Sequence, residues 1–228
     1  MKPNGTSLNV KADDIDLTEV IGDDHISTAL ETPMVEGAFE LSDEEKILKI
    51  QHHFAEIMKT MGLDLTDDSL KGTPRRVAKM YIKEVFTGLN PANKPAVALF
   101  ENKYKYREML VEKNITVKSF CEHHFVPIIG VAHVAYISNG NVIGLSKINR
   151  IVQYFAKRPQ VQERLTVQIA SELKKILKTE DVAVIIDAKH MCVSMRGVED
   201  ETSSTVTASY HGKFHEQERR QELFKYLD

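Results

Sequence analysis

The chain has 228 residues, 42% hydrophobic and 28% charged, the composition of a globular protein with room for one sizeable domain and an appendage rather than a disordered one. No apolar run is long enough to cross a bilayer and no basic segment with an apolar stretch behind it marks a secretory leader, so a cytoplasmic location is expected; with two cysteines, a thiol or metal ligand fits better than a structural disulfide. The net charge of −3 is uneven, because residues 1–41 hold two lysines against nine Asp and Glu. The rest is therefore mildly basic, an excess too modest to suggest bulk nucleic-acid binding but suited to a pocket for a small anion.

Residues 1–41 read as an acidic tail without apolar period. Ser42-Asp43-Glu44-Glu45 is a capping box that predicts a helix start. Ile47, Ile50, Phe54, Ile57, Met58 and Met61 follow at helical spacing, and Gly62 is a natural stop. Thr73-Pro74 reads as a cap with proline behind it, opening a second helix with Val77, Met80, Tyr81 and Val85 inward. These two helices make an N-terminal helical region over 42–92.

From 93 to 228 the pattern changes. Residues 109–119 alternate through Met109, Val111, Ile115 and Val117 with an irregularity near Lys113, and 131–137 is a second strand before an Asn139-Gly140 turn. A helix near Ser146 turns Ile148, Ile151, Val152 and Phe155 inward. Another from about Pro159 carries Val161, Leu165, Ile169, Leu173, Ile176 and Leu177. Stretches 181–188, 190–196 and 204–210 read as strands, and a short helix from about His215 closes the chain. Strand pairs around two helices, without βαβ alternation, predict an α+β domain with an antiparallel sheet and two packed helices.

The chemistry concentrates in "FCEHHF", residues 120–125. Cys121 and His124 are three apart, close enough to reach one ion from a turn. Cys192 would supply a third ligand, and three protein ligands with one open position is the pattern of catalytic zinc. Spacing alone is weak support, since two buried free cysteines are a common alternative. In "HMCVSMR" an extended chain puts His190, Cys192, Ser194 and Arg196 on one face, with Arg196 roughly 13 Å beyond Cys192. "GLSKINR" reads as a helix start whose free N–H groups, with Lys147 and Arg150 beside Ser146, form an anion site. Arg196, Lys79 and Arg76 are further cations, each of which on its own could be an ordinary solvated charge.

"SFCEHHFVPIIG", "VIGLSKINRIVQYFAKRPQVQERLTVQIA", "HMCVSMRGVEDETSSTVT" and "DDSLKGTPRRVAKMY" together resemble the GTP cyclohydrolase I family over roughly residues 42–228. The resemblance implies a tunnelling-fold subunit. Strands from several copies would close a barrel, two pentameric rings would make a homodecamer, and active sites would lie at subunit interfaces, which allows Lys79 to serve a neighbour's site. It implies Zn2+ held by Cys121, His124 and Cys192, and catalytic roles for His123 and His190. It also implies triphosphate contacts from Ser146, Lys147, Arg150, Arg196 and Lys79, and guanine recognition by Glu163. The implied reaction takes GTP and water to formate and 7,8-dihydroneopterin triphosphate, the first step of pteridine synthesis. Two rivals are a tunnelling-fold enzyme of different activity and a zinc-stabilised binding module with four closed protein ligands.

Overall fold

The computed structural model describes residues 29–228, and Glu31–Asp228 form one compact unit. Residues 1–28 of the acidic tail lie outside the described residues. Helix α1, Asp43–Thr60, starts as the sequence predicts: Ser42 Oγ accepts from the Glu45 N–H, while the Ser42 N–H donates to Glu45 Oε2 at 2.8 Å. Such a cap is worth about 1 kcal/mol. Ile47 and Met58 are buried, but Ile57 and Met61 are exposed, so the apolar stripe is only partly covered. Helix α2, Thr73–Met80, is capped by Gly72, not by Thr73, which occupies the first helical position and makes no side-chain cap bond. A wide π turn, Tyr81–Val85, continues it.

Strands β2 (Met109–Cys121), β3 (Pro127–Ile137), β6 (Val182–His190) and β7 (Thr205–Tyr210) form an antiparallel sheet in that spatial order. The irregularity near Lys113 is a bulge between Glu112 and Ile115 that holds Asn114 at positive φ. Two short strands, β1 (Leu99–Glu101) and β4 (Asn141–Ile143), pair as a separate ribbon. The stretch from Pro159 is not helical at first. Pro159–Gln160 is a two-residue strand, β5, parallel to the end of β2, and its proline sits at the sheet edge where a missing N–H is tolerated. Among the described residues no helix is long and apolar enough to cross a membrane.

Helices α3 (Leu145–Ala156) and α4 (Gln162–Leu177) cover one face of the sheet. Ile148, Ile151, Val152, Leu165, Ile169 and Leu173 meet Val117, Val134, Val184 and Ile186 there. Each such side chain contributes about 1.5–3 kcal/mol of burial. The alternate residues Met109, Ala135, Ile137, Ala183 and Ile185 form a second, smaller core with Phe214 and Leu223. Leu223 belongs to the C-terminal helix, Gln217–Leu227, which follows a 3₁₀ turn at Gly212–His215. Covered on both faces, β6 is apolar at five successive positions. The α+β reading with antiparallel pairing is borne out. Gly130, in β3, must be glycine, because a Cβ there would lie 2.1 Å from the Asp187 carbonyl oxygen on β6.

The extended reading of 190–196 is overturned. β6 ends at His190, and Met191–Ser194 form a single helical turn, α5, closed by the Met195 N–H on the Met191 carbonyl. Strand pairing stops at Ala188 on the β7 side and at His190 on the β3 side, so beyond His190 no ladder remains to hold an extended chain. His190, Cys192, Ser194 and Arg196 therefore do not share a strand face.

Candidate metal and histidine site

The C-terminal ends of β2 and β6 and the start of α4 converge at one end of the sheet. Between β2 and β3 the chain reverses tightly: the Phe125 N–H donates to the Cys121 carbonyl, and the Cys121 N–H to the Val126 carbonyl. Phe125 takes φ +54° to close the turn. Glu122 is anchored by its N–H on the Gln160 carbonyl, which is what β5 is placed to supply. His123 and His124 project from this turn with their ring planes 88° apart.

Cys121 is buried at the end of β2, and its Sγ lies 3.7 Å from His124 Nδ1. Helical turn α5 folds Cys192 back over it, so one ligand atom from each of Cys121, His124 and Cys192 lies within 4.8 Å of the others. Tetrahedral zinc–sulfur and zinc–nitrogen bonds place neighbouring ligands about 3.5–3.8 Å apart. The two thiolates and one imidazole thus fit a zinc-sized cation with small adjustments. Burial, and then the adjacent Cys121 sulfur, push the Cys192 thiol up from its ordinary range, and a cation between the sulfurs would reverse that effect.

His123 Nδ1 is 3.9 Å from Cys121 Sγ, and its Nε2 is 3.8 Å from Glu122 Oε1. His190 Nε2 lies 2.7 Å from Gln162 Oε1. Burial lowers the His190 pKa, and the charge of Glu163 opposes that shift. Glu163 is exposed on the first turn of α4. Arg196, expected well along a strand, instead turns back and donates from Nη1 to His124 Nε2 at 2.9 Å.

The remaining expected residues sit elsewhere. Ser146, Lys147 and Arg150 are on α3, whose cap is Gly144; Ser146 makes no cap bond and is exposed. Lys147 Nζ donates to the Ala96 carbonyl at 3.0 Å. Lys79 and Arg76 are exposed on α2. Sequence reasoning missed two buried polar side chains, Gln162 and Arg164; Arg164 grips the half-buried Glu122 with both terminal nitrogens, at 2.7 and 2.6 Å from one carboxylate oxygen. The one signal of Gln162 and Arg164 was their place beside the apolar stripe of α4.

Residues 50–228 match the family model of GTP cyclohydrolase I. The chain belongs to the GTP cyclohydrolase I family. It is similar to GTP cyclohydrolase 1 of Flavobacterium johnsoniae, 61% identical over 93% of this chain and 95% of the relative. Against GTP cyclohydrolase 1 of Aeromonas salmonicida the identity is 57% over 81% and 84% of the two chains. For Salmonella arizonae the figures are 52%, 90% and 93%. The family resemblance carried by the four motifs is thereby borne out.

Proposed function

We propose that the protein opens the guanine imidazole ring of GTP, releasing formate and rearranging the remainder to 7,8-dihydroneopterin triphosphate, with zinc held by Cys121, His124 and Cys192. The observation that carries the reading is the convergence of those three ligands, from two distant segments, beside His123 and His190 in a chain of this family. Zinc, when bound, supplies Lewis-acid activation of water near neutral pH.

His123, next to the ligand cluster, serves the early step, in which water adds to the imidazole ring of guanine and the ring opens. His190 moves protons at N7, the ribose oxygen or both, and its lowered pKa keeps it neutral and able to accept at pH 7. Glu163 is exposed, as a substrate contact must be, and one carboxylate can accept from both guanine N1–H and the 2-amino group. Arg196 uses the Nε2 lone pair of His124. A metallated imidazole carries a proton on its other nitrogen, so ligation through Nδ1 would free Arg196 for the triphosphate.

Ser146, Lys147, Arg150 and Lys79 complete the triphosphate site. They lie on α3 and α2, outside the metal cluster, which supports an active site assembled between copies in a homodecamer of two pentamers. The outer edge of β7, where Val206 is 62% exposed, has no neighbouring strand among the described residues and is a natural joint between copies. The expected location is cytoplasmic.

The test is incubation of zinc-loaded protein with GTP, following pterin absorbance and fluorescence together with formate. Equal molar yields of both are expected. Zinc-loaded protein that yields neither would overturn the activity, and four protein ligands around the metal would favour a binding module.

A further inference from the structure

Gln162 opens α4 and is 1% exposed, yet no role has been assigned to it. Its Nε2 lies 3.0 Å from the Ile186 carbonyl, 2.8 Å from the Thr205 carbonyl and 3.1 Å from Thr207 Oγ1. The hydroxyl protons can be followed. Thr166 Oγ1 donates to the Gln162 main-chain carbonyl at 2.8 Å and also meets Thr207 Oγ1 at 2.7 Å. A hydroxyl has one proton. With that of Thr166 committed, Thr207 must donate to Thr166 and offers Gln162 a lone pair.

The nitrogen end of the amide therefore faces three acceptors. Turning the amide over would set its oxygen against two carbonyls and leave buried groups unpaired, so the network assigns the orientation. The oxygen end then faces His190 Nε2 at 2.7 Å. Two acceptors would repel at that distance, so Nε2 must carry the proton.

We infer that Gln162 is a positioning residue that holds the His190 ring in place with its proton on Nε2, leaving Nδ1 as the nitrogen that exchanges a proton with the substrate. This rests on the role proposed above for His190. The same bonds tie the start of α4 to β6 and β7, so the ring is referenced to the sheet and not to a loop.

The test uses the full-length, zinc-loaded enzyme with Gln162→Met, Gln162→Glu, His190→Ala and the Gln162→Met/His190→Ala double variant. Methionine keeps the volume and loses every polar contact. Buried glutamate in its acid form keeps an oxygen for His190 and one donor for the carbonyls. Gln162→Met is expected to lower kcat at least tenfold, with KM for GTP within about threefold and zinc content unchanged, general acid–base help being worth ~10²–10⁴ in rate. Gln162→Glu is expected to recover at least fivefold over Gln162→Met. In single-turnover reactions with enzyme in excess, the double variant should match His190→Ala, because a residue that acts through another adds nothing once the other is gone.

A tenfold further loss in the double variant, or a glutamate variant no better than methionine, would make Gln162 merely structural and overturn the inference. If His190→Ala is too slow to grade, the glutamate–methionine comparison decides alone. His190→Ala at the parent rate would instead remove the reading on which the inference stands.

Discussion

Removing Glu122 should destabilise the protein more than removing its partner Arg164, although they share one ion pair. The Arg164 side chain is 3% exposed and that of Glu122 is 21% exposed. Breaking a buried pair costs about 3–5 kcal/mol when the remaining charge has nowhere to go. Glu122→Gln leaves a guanidinium that water cannot reach beside a neutral amide oxygen, so the lower part of that range applies, about 3–4 kcal/mol. Arg164→Met leaves a carboxylate already near solvent that can hydrate. It also removes Arg164 Nε, which is buried without an acceptor and costs about 1 kcal/mol or more as it stands. About 2 kcal/mol or less is expected for that variant. The double variant should fall well short of the sum of the singles. Tryptophan is absent from the chain, so urea unfolding is best followed by far-UV circular dichroism, at one fixed protein concentration because assembly would shift the midpoint. Because Glu122 also braces the turn that carries His123 and His124, Glu122→Gln should lose zinc on dialysis faster than Arg164→Met. The reasoning fails if Arg164→Met is the less stable of the two, or if both lie within about 0.5 kcal/mol of the parent.

Gly130→Ala should destabilise by at least the 1–3 kcal/mol typical of overpacking, since the new methyl meets β6 backbone on a central strand; a urea midpoint equal to the parent's would mean that β3 and β6 separate easily. Cys121→Ser, His124→Ala and Cys192→Ser should each reduce bound zinc at least tenfold at micromolar metal, because three ligands leave no redundancy; full occupancy in Cys192→Ser would show that another residue completes the set. Burial holds His133 and His211 below the ordinary histidine value, with Asp187 and Glu180 respectively opposing the shift. Their unfolded forms therefore bind protons first, and stability should fall as pH drops below about 6.5. The drop in urea midpoint between pH 7.5 and 5.5 should shrink in His133→Gln; an undiminished drop would assign it to other groups.

What was legible in the sequence was local. Ser42 and Glu45 are three residues apart, and the stripes of α3 and α4 repeat within one helix, so neither needs the rest of the fold to be read. The 190–196 stretch failed for a physical reason: Met191, Val193 and Met195 alternate as a strand would, but alternation makes a strand only where neighbours exist to pair with it. β7 stops at the level of Ala188 and β3 at His190, and Val193 and Met195 remain 38% and 63% exposed. The error concerned the path, not the chemistry. An extended chain would have carried Arg196 away from the metal end, whereas the single turn of α5 returns Cys192 to Cys121 and brings Arg196 to His124. Gln162 and Arg164 were hidden for the opposite reason. Polar residues in an amphipathic pattern are assigned to solvent by default, and the groups that reverse that assignment lie 28 residues away at His190 and 42 away at Glu122. Motifs therefore revealed the groups proposed to meet metal and substrate, which are displayed together on short segments. The groups that aim them are dispersed singly, and become visible only when the first turn of α4 is seen to hold His190 with one residue, the histidine turn with another, and to present Glu163 between them.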